Sequence, residues 1–385
     1  MKTFKEEANA IGDKIVAYRR RLHAMAECGF DLPNTRNFVK NTLQSMGYDP
    51  KECGKGLACE LSSAHTHAPT VLLRADMDAL PLPEETRLPF RAENGHMHAC
   101  GHDMHTAMLL GAAAVLKEHE GALPVRVRFA FQSAEETLSG ASEMLRAGIL
   151  TGVKAALMLH AVTAVPFPTG TVLLPPKGIA APAARFFEIT VTGKSAHVGE
   201  AERGADALKG AVTLYREMER VKEEIGEGLL LSVGKLHAGV AANVVPAKAV
   251  IAGSFRARDE NKMADFEKKL SSLCRARTGG VSASVSFLGG CPPLQNDARC
   301  LARIKDALPR HGVHAIETPP SKGNAAEDFA VLARECPAVA LALAAGERAR
   351  GYEHPLHHPK VLFDEDALPV GAAVYAIGAL ALCEL

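Results

Sequence analysis

Thr70-Val-Leu-Leu-Arg-Ala-Asp76 and Val125-Arg-Val-Arg-Phe-Ala-Phe-Gln132 are the stretches whose reading decides the fold. The first is apolar almost throughout, as a strand covered on both faces must be, and the second alternates before turning apolar. Between them, Thr106-Ala-Met-Leu-Leu-Gly-Ala-Ala-Ala-Val-Leu116 predicts a helix over 106–118. Strands alternating with helices imply an α/β fold with a mostly parallel sheet covered by helices. Ligand sites in such sheets lie beyond the carboxyl ends of strands, and Asp76, Asp78, Glu135 and Glu136 fall there. Upstream, Ile11, Ile15, Val16 and Tyr18, and then Phe38, Val39, Leu43 and Met46, recur at helical spacing.

The texture changes at Pro175-Pro-Lys-Gly-Ile-Ala-Ala-Pro182, which reads as a linker. Beyond it, strand 186–192, helix 204–225, strands 229–236 and 247–257, helix 260–276 and strand 281–287 follow in the order βαββαβ. That order is the ferredoxin-like split motif. Phe287-Leu-Gly-Gly-Cys-Pro-Pro293 then reads as the return linker. The expected organisation is a discontinuous α/β domain, 1–180 and 290–385, carrying a smaller α+β domain inserted at 181–289.

Lys+Arg and Asp+Glu both number 44, so no global field attracts nucleic acid or an anionic membrane. No apolar run is long enough to span a bilayer, and the N-terminus lacks the apolar stretch of a signal peptide. Nine cysteines without a CxxC pair suit a reducing compartment, so a cytoplasmic location is expected.

Chemistry concentrates in His96-Met-His98-Ala-Cys100-Gly-His102-Asp103-Met-His105, a dense set of metal-ligand types at the entrance of a helix. A thiolate there would gain from the helix dipole and from any bound cation, as a ligand or as a nucleophile. Arg74-Ala-Asp76-Met-Asp78 places two carboxylates at i, i+2, which alternation along a strand would point the same way. Ser133-Ala-Glu135-Glu136 leaves the second strand with adjacent acids, which usually form a solvated face but here sit at a sheet terminus. Two such charges repel unless a cation takes one, leaving the other for proton transfer. His160 ends the apolar run Ala155-Ala-Leu-Met-Leu, and Tyr352-Glu-His354-Pro-Leu-His357-His358 is a second histidine cluster.

Taken with Gly193–His197, Ala242-Asn243-Val-Val-Pro246, Glu327-Asp328-Phe329 and Leu356–Pro359, these stretches resemble the amidohydrolase branch of the aminoacylase/carboxypeptidase-type metallopeptidases. That branch includes hippurate hydrolases, N-acyl-amino-acid hydrolases, N-acetyldiaminopimelate deacetylase and indole-acetyl-amino-acid hydrolases. The resemblance implies two divalent ions (zinc, manganese, cobalt or nickel) held by Cys100, His102, Glu136, His160 and His357, with Glu135 as general base and acid. It also implies that His197 and Asn243 contact substrate, and that the inserted domain is a lid and the surface of a homodimer. Asp78 resembles the orienting carboxylate of its motif. Gly193-Lys-Ser-Ala-His197 and the longer Gly323-Asn-Ala-Ala-Glu327-Asp328 depart from the common pattern on the substrate side and leave the metal set alone.

The implied reaction is hydrolysis of a small N-acyl amino acid by metal-activated water, with dipeptidase or carboxypeptidase action on short peptides as the alternative. A cysteine hydrolase with Cys100 as nucleophile beside His102 would leave the two glutamates, His160 and His357 without a role. A closed structural zinc site needs four ligands and no spare base, whereas this set has five and Glu135 beside it.

Overall fold

The computed structural model describes residues 2–63, 65–276, 280–319 and 323–384. In chain order the strands are β1 (Lys51–Cys53), β2 (Gly56–Leu61), β3 (Thr70–Asp76), β4 (Arg126–Gln132), β5 (Val153–Val162), β6 (Val172–Leu174) and β7 (Gly178–Ala181). They continue as β8 (Ala183–Thr192), β9 (Leu229–Ala238), β10 (Lys248–Ala257), β11 (Ser282–Cys291), β12 (Leu294–Asn296), β13 (Ala315–Glu317) and β14 (Ala338–Ala344). The chain divides into two compact units: Met1–Ala180 with Leu294–Lys322 and Glu327–Leu385, and Ala181–Pro293 with Gly323–Ala326.

The larger unit is built on a sheet ordered β1-β2-β4-β3-β5-β14-β6-β13. Its central strands β4, β3, β5 and β14 are parallel to one another, and every residue of β3 is buried, as its apolar run anticipates. The flanks differ: β2 is antiparallel to β4, β1 to β2, and β6 to β14. Helix His102–Lys117 packs against β3 and against helices Gly12–Met25 and Ala367–Leu382. It starts four residues before the expected 106, because its first turn is the polar His102-Asp103-Met-His105. Gly101 caps it at φ +87°, and a Cβ there would meet the Phe363 ring at 2.9 Å. Only glycine fits both demands.

The smaller unit carries an antiparallel sheet ordered β11-β8-β10-β9, against which helices Ala207–Ile225 and Glu260–Arg275 pack. In chain order this is βαββαβ, the split motif. Its own core is formed by Phe187, Ile189, Leu214, Met218, Phe255 and Phe266 among others. Two linker expectations are corrected here. Residues 178–181 of the first linker form β7, which pairs with β12. The stretch expected to be the return linker is still strand: β11 runs to Cys291, absorbing the glycines in a bulge between Phe287 and Gly290. A bulge takes up extra residues without ending the pairing, and glycines reading as a turn concealed it.

Candidate metal centre

The centre lies where β3, β4 and β5 end. After Gln132 the chain turns sharply, with Ala134 at φ +58°, and Ser139 and Gly140 both donate to the Ala134 carbonyl. A Cβ on Gly140 would stand 1.7 Å from the Ser133 carbonyl, so the turn closes only with glycine. Its exposed amides are taken by one carboxylate: Glu135 N donates to Asp78 Oδ1 at 2.9 Å and Glu136 N to Asp78 Oδ2 at 3.2 Å. Asp78 thereby aims both glutamates. β3 ends at Asp76, so strand alternation does not reach Asp78, yet both carboxylates come near His102, at 3.8 and 3.6 Å. Asp76 also meets Arg74 and His105.

The histidines sort themselves by hydrogen bonding. His102 Nδ1 lies 2.8 Å from the Asp78 carbonyl and His160 Nδ1 lies 2.8 Å from the Ala161 carbonyl. A carbonyl accepts only, so in each ring Nδ1 carries a proton and Nε2 is the nitrogen left for a metal; without a cation, Asp76 and Cys100 raise His102 well above the usual imidazole range although burial opposes them. His105 is the opposite case. Its Nε2 accepts from Ala161 N at 2.7 Å and its Nδ1 donates to Asp76 Oδ1 at 2.6 Å, so neither nitrogen is left for a metal. His96 Nδ1 lies 3.3 Å from the Ala26 carbonyl at the periphery. His98 is buried and burial lowers it to about 3, so it stays neutral.

Cys100 Sγ stands 3.6 Å from His160 Nε2. A tetrahedral ion with ordinary Zn–S and Zn–N bonds would hold these atoms about 3.5 Å apart. His357 reaches the site from a residue at φ +66°, its amide donating 2.9 Å to the Ala99 carbonyl, and its Nε2 is 3.6 Å from Glu136 Oε1. Left-handed backbone in a histidine costs energy and concentrates at functional sites. Cys100, His102 and His160 form one ligand trio and Cys100, Glu136 and His357 another, so the thiol is common to both. All five expected ligands therefore come together. Two buried atoms, His102 Nε2 and Glu136 Oε1, have no hydrogen-bond partner among the described residues and stand 3.8 Å apart. A divalent cation would satisfy both, so the donor set fits one.

Charge supports the same fit. Burial pushes Glu135 well above the usual carboxylate range, reinforced by Glu327, Asp328 and Glu136. Burial raises Glu136 to about 7, with Asp78 and Asp76 contributing and His102 opposing. The Cys100 thiol is also pushed up by burial, and the His102 charge does not compensate. The expected gain from the helix dipole is thus overridden, and a nucleophilic thiolate is not populated without a cation.

Sequence reasoning assigned no role to the hub beside the site. Buried Arg74 donates Nε to Gln132 Oε1 at 2.9 Å, and its terminal nitrogens lie 2.7 Å from Asp76, 2.9 Å from Asp328 and 3.0 Å from Glu327. Asp328 N in turn lies 3.4 Å from Glu135 Oε1. The adjacency of Glu327 and Asp328 to the quoted motifs was the available signal. His197 and Asn243 belong to the smaller unit, where they are neighbours: His197 pairs with Val244, and Val198 N donates 3.2 Å to the Asn243 carbonyl.

Paired acids, imidazoles and a thiol at the ends of parallel strands make up a donor set for divalent ions. The chain belongs to peptidase family M20/M25/M40, whose model matches residues 72–379. It is 32% identical over 384 residues to an N-acetyl-L-cysteine deacetylase of Bacillus subtilis (strain 168), covering 95% of this chain and 88% of that protein. It is 32% identical over 388 residues to thermostable carboxypeptidase 1 of Saccharolobus solfataricus, covering 97% and 96% respectively. A solved Bacillus subtilis structure, described as a dinuclear metal binding peptidase from the M20 family, superposes with a TM-score of 0.76 at 28% identity, over 98% of this chain and 99% of that one. No helix among the described residues is long and apolar enough to cross a membrane.

Proposed function

We propose that the protein is a metal-dependent amidohydrolase that cleaves the amide bond of small N-acyl amino acids. The observation that carries this reading is the unpartnered pair His102 Nε2 and Glu136 Oε1, buried beside Glu135. Cys100, His102, Glu136, His160 and His357 would hold two divalent ions, drawn from zinc, manganese, cobalt or nickel. Such ions, when bound, polarise a carbonyl oxygen and lower the pKa of a water ligand from ~15.7 toward ~7. Glu135 supplies the proton chemistry. Its carboxylate accepts a proton from the attacking water and returns it to the leaving nitrogen. Burial and the neighbouring acids strengthen its hold on that proton. Asp78 fixes its backbone, and Asp328 N steadies Oε1.

His197 and Asn243 would contact substrate or intermediate oxygens from the smaller unit, acting as a lid. That unit would also form a homodimer. Leu208, Val212 and Tyr215 lie exposed along one stripe of helix Ala207–Ile225, and exposed Leu230 and Leu236 lie on the edge strand β9. Nine cysteines without a CxxC pair support a reducing, cytoplasmic location. The substrate class rests on the deacetylase relative, and the carboxypeptidase relative supports the peptide-cleaving alternative.

Glu135→Gln should lower kcat by about 10²–10⁴-fold while the protein retains its metal. Wild-type turnover in that variant would remove Glu135 from the reaction. Turnover of N-acetyl, N-benzoyl and longer N-acyl amino acids against dipeptides decides the substrate class, with faster dipeptide cleavage favouring the peptidase.

A further inference from the structure

β3 and β5 pair in parallel from Thr70 to Arg74, and the last matched residues are Arg74 and Met158. Both strands continue, to Asp76 and Val162, but their ladder stops. Each end stays paired on its other side: Asp76 faces Gln132 of β4, and Val162 faces Ala344 of β14. The sheet therefore divides at its carboxyl end into two halves along a seam between β3 and β5.

Side chains from two helices fill the seam. Tyr375, fully buried in Ala367–Leu382, donates its hydroxyl to the Arg74 carbonyl at 2.8 Å and accepts from Leu159 N at 3.2 Å. In an unbroken parallel ladder Leu159 N would donate directly to that carbonyl, so the hydroxyl stands inside a missing rung. One step further, His105 accepts from Ala161 N at 2.7 Å and donates to Asp76 Oδ1 at 2.6 Å. A hydroxyl and a neutral imidazole can each donate and accept, which lets one side chain bridge an amide and an oxygen.

The ligands fall on opposite sides of this seam. Glu136 follows β4, and His102 is oriented by the Asp78 carbonyl beyond β3, whereas His160 sits on β5. We propose that Tyr375 and His105 are positioning residues, a two-rung wedge that holds the β3 and β5 ends apart and so sets the separation of His160 from His102 and Glu136. The inference rests on the metal-site reading above. Without the hydroxyl, Leu159 N and the Arg74 carbonyl can close into a direct bond, because leaving both buried and unpaired is costly. The strand ends would then approach one another.

The test is titration of the full-length, metal-stripped protein with Mn²⁺ and Zn²⁺ by calorimetry, well below its melting temperature. Wild-type chain should bind two ions. Tyr375→Phe, which keeps the ring and its packing, should bind at least one of them about 10–100-fold more weakly, the range for losing a group that orients ligands. His105→Leu should do the same. His105→Gln, which keeps a donor and an acceptor, should recover part of the affinity. Wild-type chain binding fewer than two ions would sink the metal-site reading and the wedge with it. Two ions bound at wild-type affinity by both Tyr375→Phe and His105→Leu would overturn the wedge alone.

Discussion

Two groups of buried acids lie side by side at the ends of β3 and β4. Asp76, Glu327 and Asp328 surround Arg74, with nitrogen–oxygen distances of 2.7, 3.0 and 2.9 Å. Glu135 and Glu136 form no ion pair with a guanidinium among the described residues and face His102 Nε2 at 3.9 and 3.8 Å. Proton affinity divides even within the first group, since burial raises Asp328 to about 7 although Arg74 opposes it. Burial would raise Asp76, but His102, Arg74 and His105 overcome it and hold that carboxyl well below the usual range. For Glu136 burial wins, and the group rises to about 7. The first group meets a cation belonging to the chain, whereas the second would be closed by one from outside. Arg74 thus does for one group what a divalent ion would do for the other.

The comparison can be broken most forcefully at Arg74. Arg74→Met removes the internal cation and leaves three buried acids uncompensated, so stability should fall by about 3–5 kcal/mol. Denaturant unfolding measures this, and a loss under about 1 kcal/mol would mean that the hub is not what holds these strands together. Next in size is the thiol shared by both ligand trios. Cys100→Ser should weaken metal binding by more than the ~10–100-fold typical of groups that only orient a ligand. It should also leave no covalent enzyme–substrate species to trap in either protein. A trapped thioester in the wild type would return Cys100 to the role of nucleophile.

How far the sequence reaches is visible in the same two groups. The place of the candidate site was legible because Cys100, His102, Glu135 and Glu136 sit at strand and helix ends that hydrophobic pattern locates, whereas the ligand set came from the family resemblance. Spacing could not separate His102 from His105, one turn apart on the same helix. Only their partners do, a carbonyl for one and an amide with a carboxylate for the other. Arg74 was hidden because its acids come from positions 76, 327 and 328, and no local pattern links them. Tyr375 was hidden by its company, an apolar helix in which a tyrosine reads as packing. The flanking strands β1, β6 and β13 escaped because each is three residues long, too short to show a period.

The smallest expected effect is a pH dependence that sharpens the comparison without any substitution. Glu136 rises from the ordinary 4.5 to about 7, mainly by burial. Between those values the metal-free native state keeps a proton that the unfolded chain releases. Stability must then fall as pH rises through the window, by up to about 1.4 kcal/mol per pH unit for each retained proton. Two groups outside the ligand set add slopes of the same sign: Asp328, which burial raises to about 7, and His23, which Asp103 and Glu84 raise although burial opposes them. Saturating Mn²⁺ needs Glu136 as a carboxylate, so binding should release its proton and remove its share of the slope while leaving those of Asp328 and His23. Melting temperatures measured from pH 5 to 7.5 should therefore converge at the acid end and separate at the neutral end, with the metal-loaded protein the more stable. Parallel curves across that range would mean that Glu136 does not receive the cation, and the second group would then have to be closed by something else.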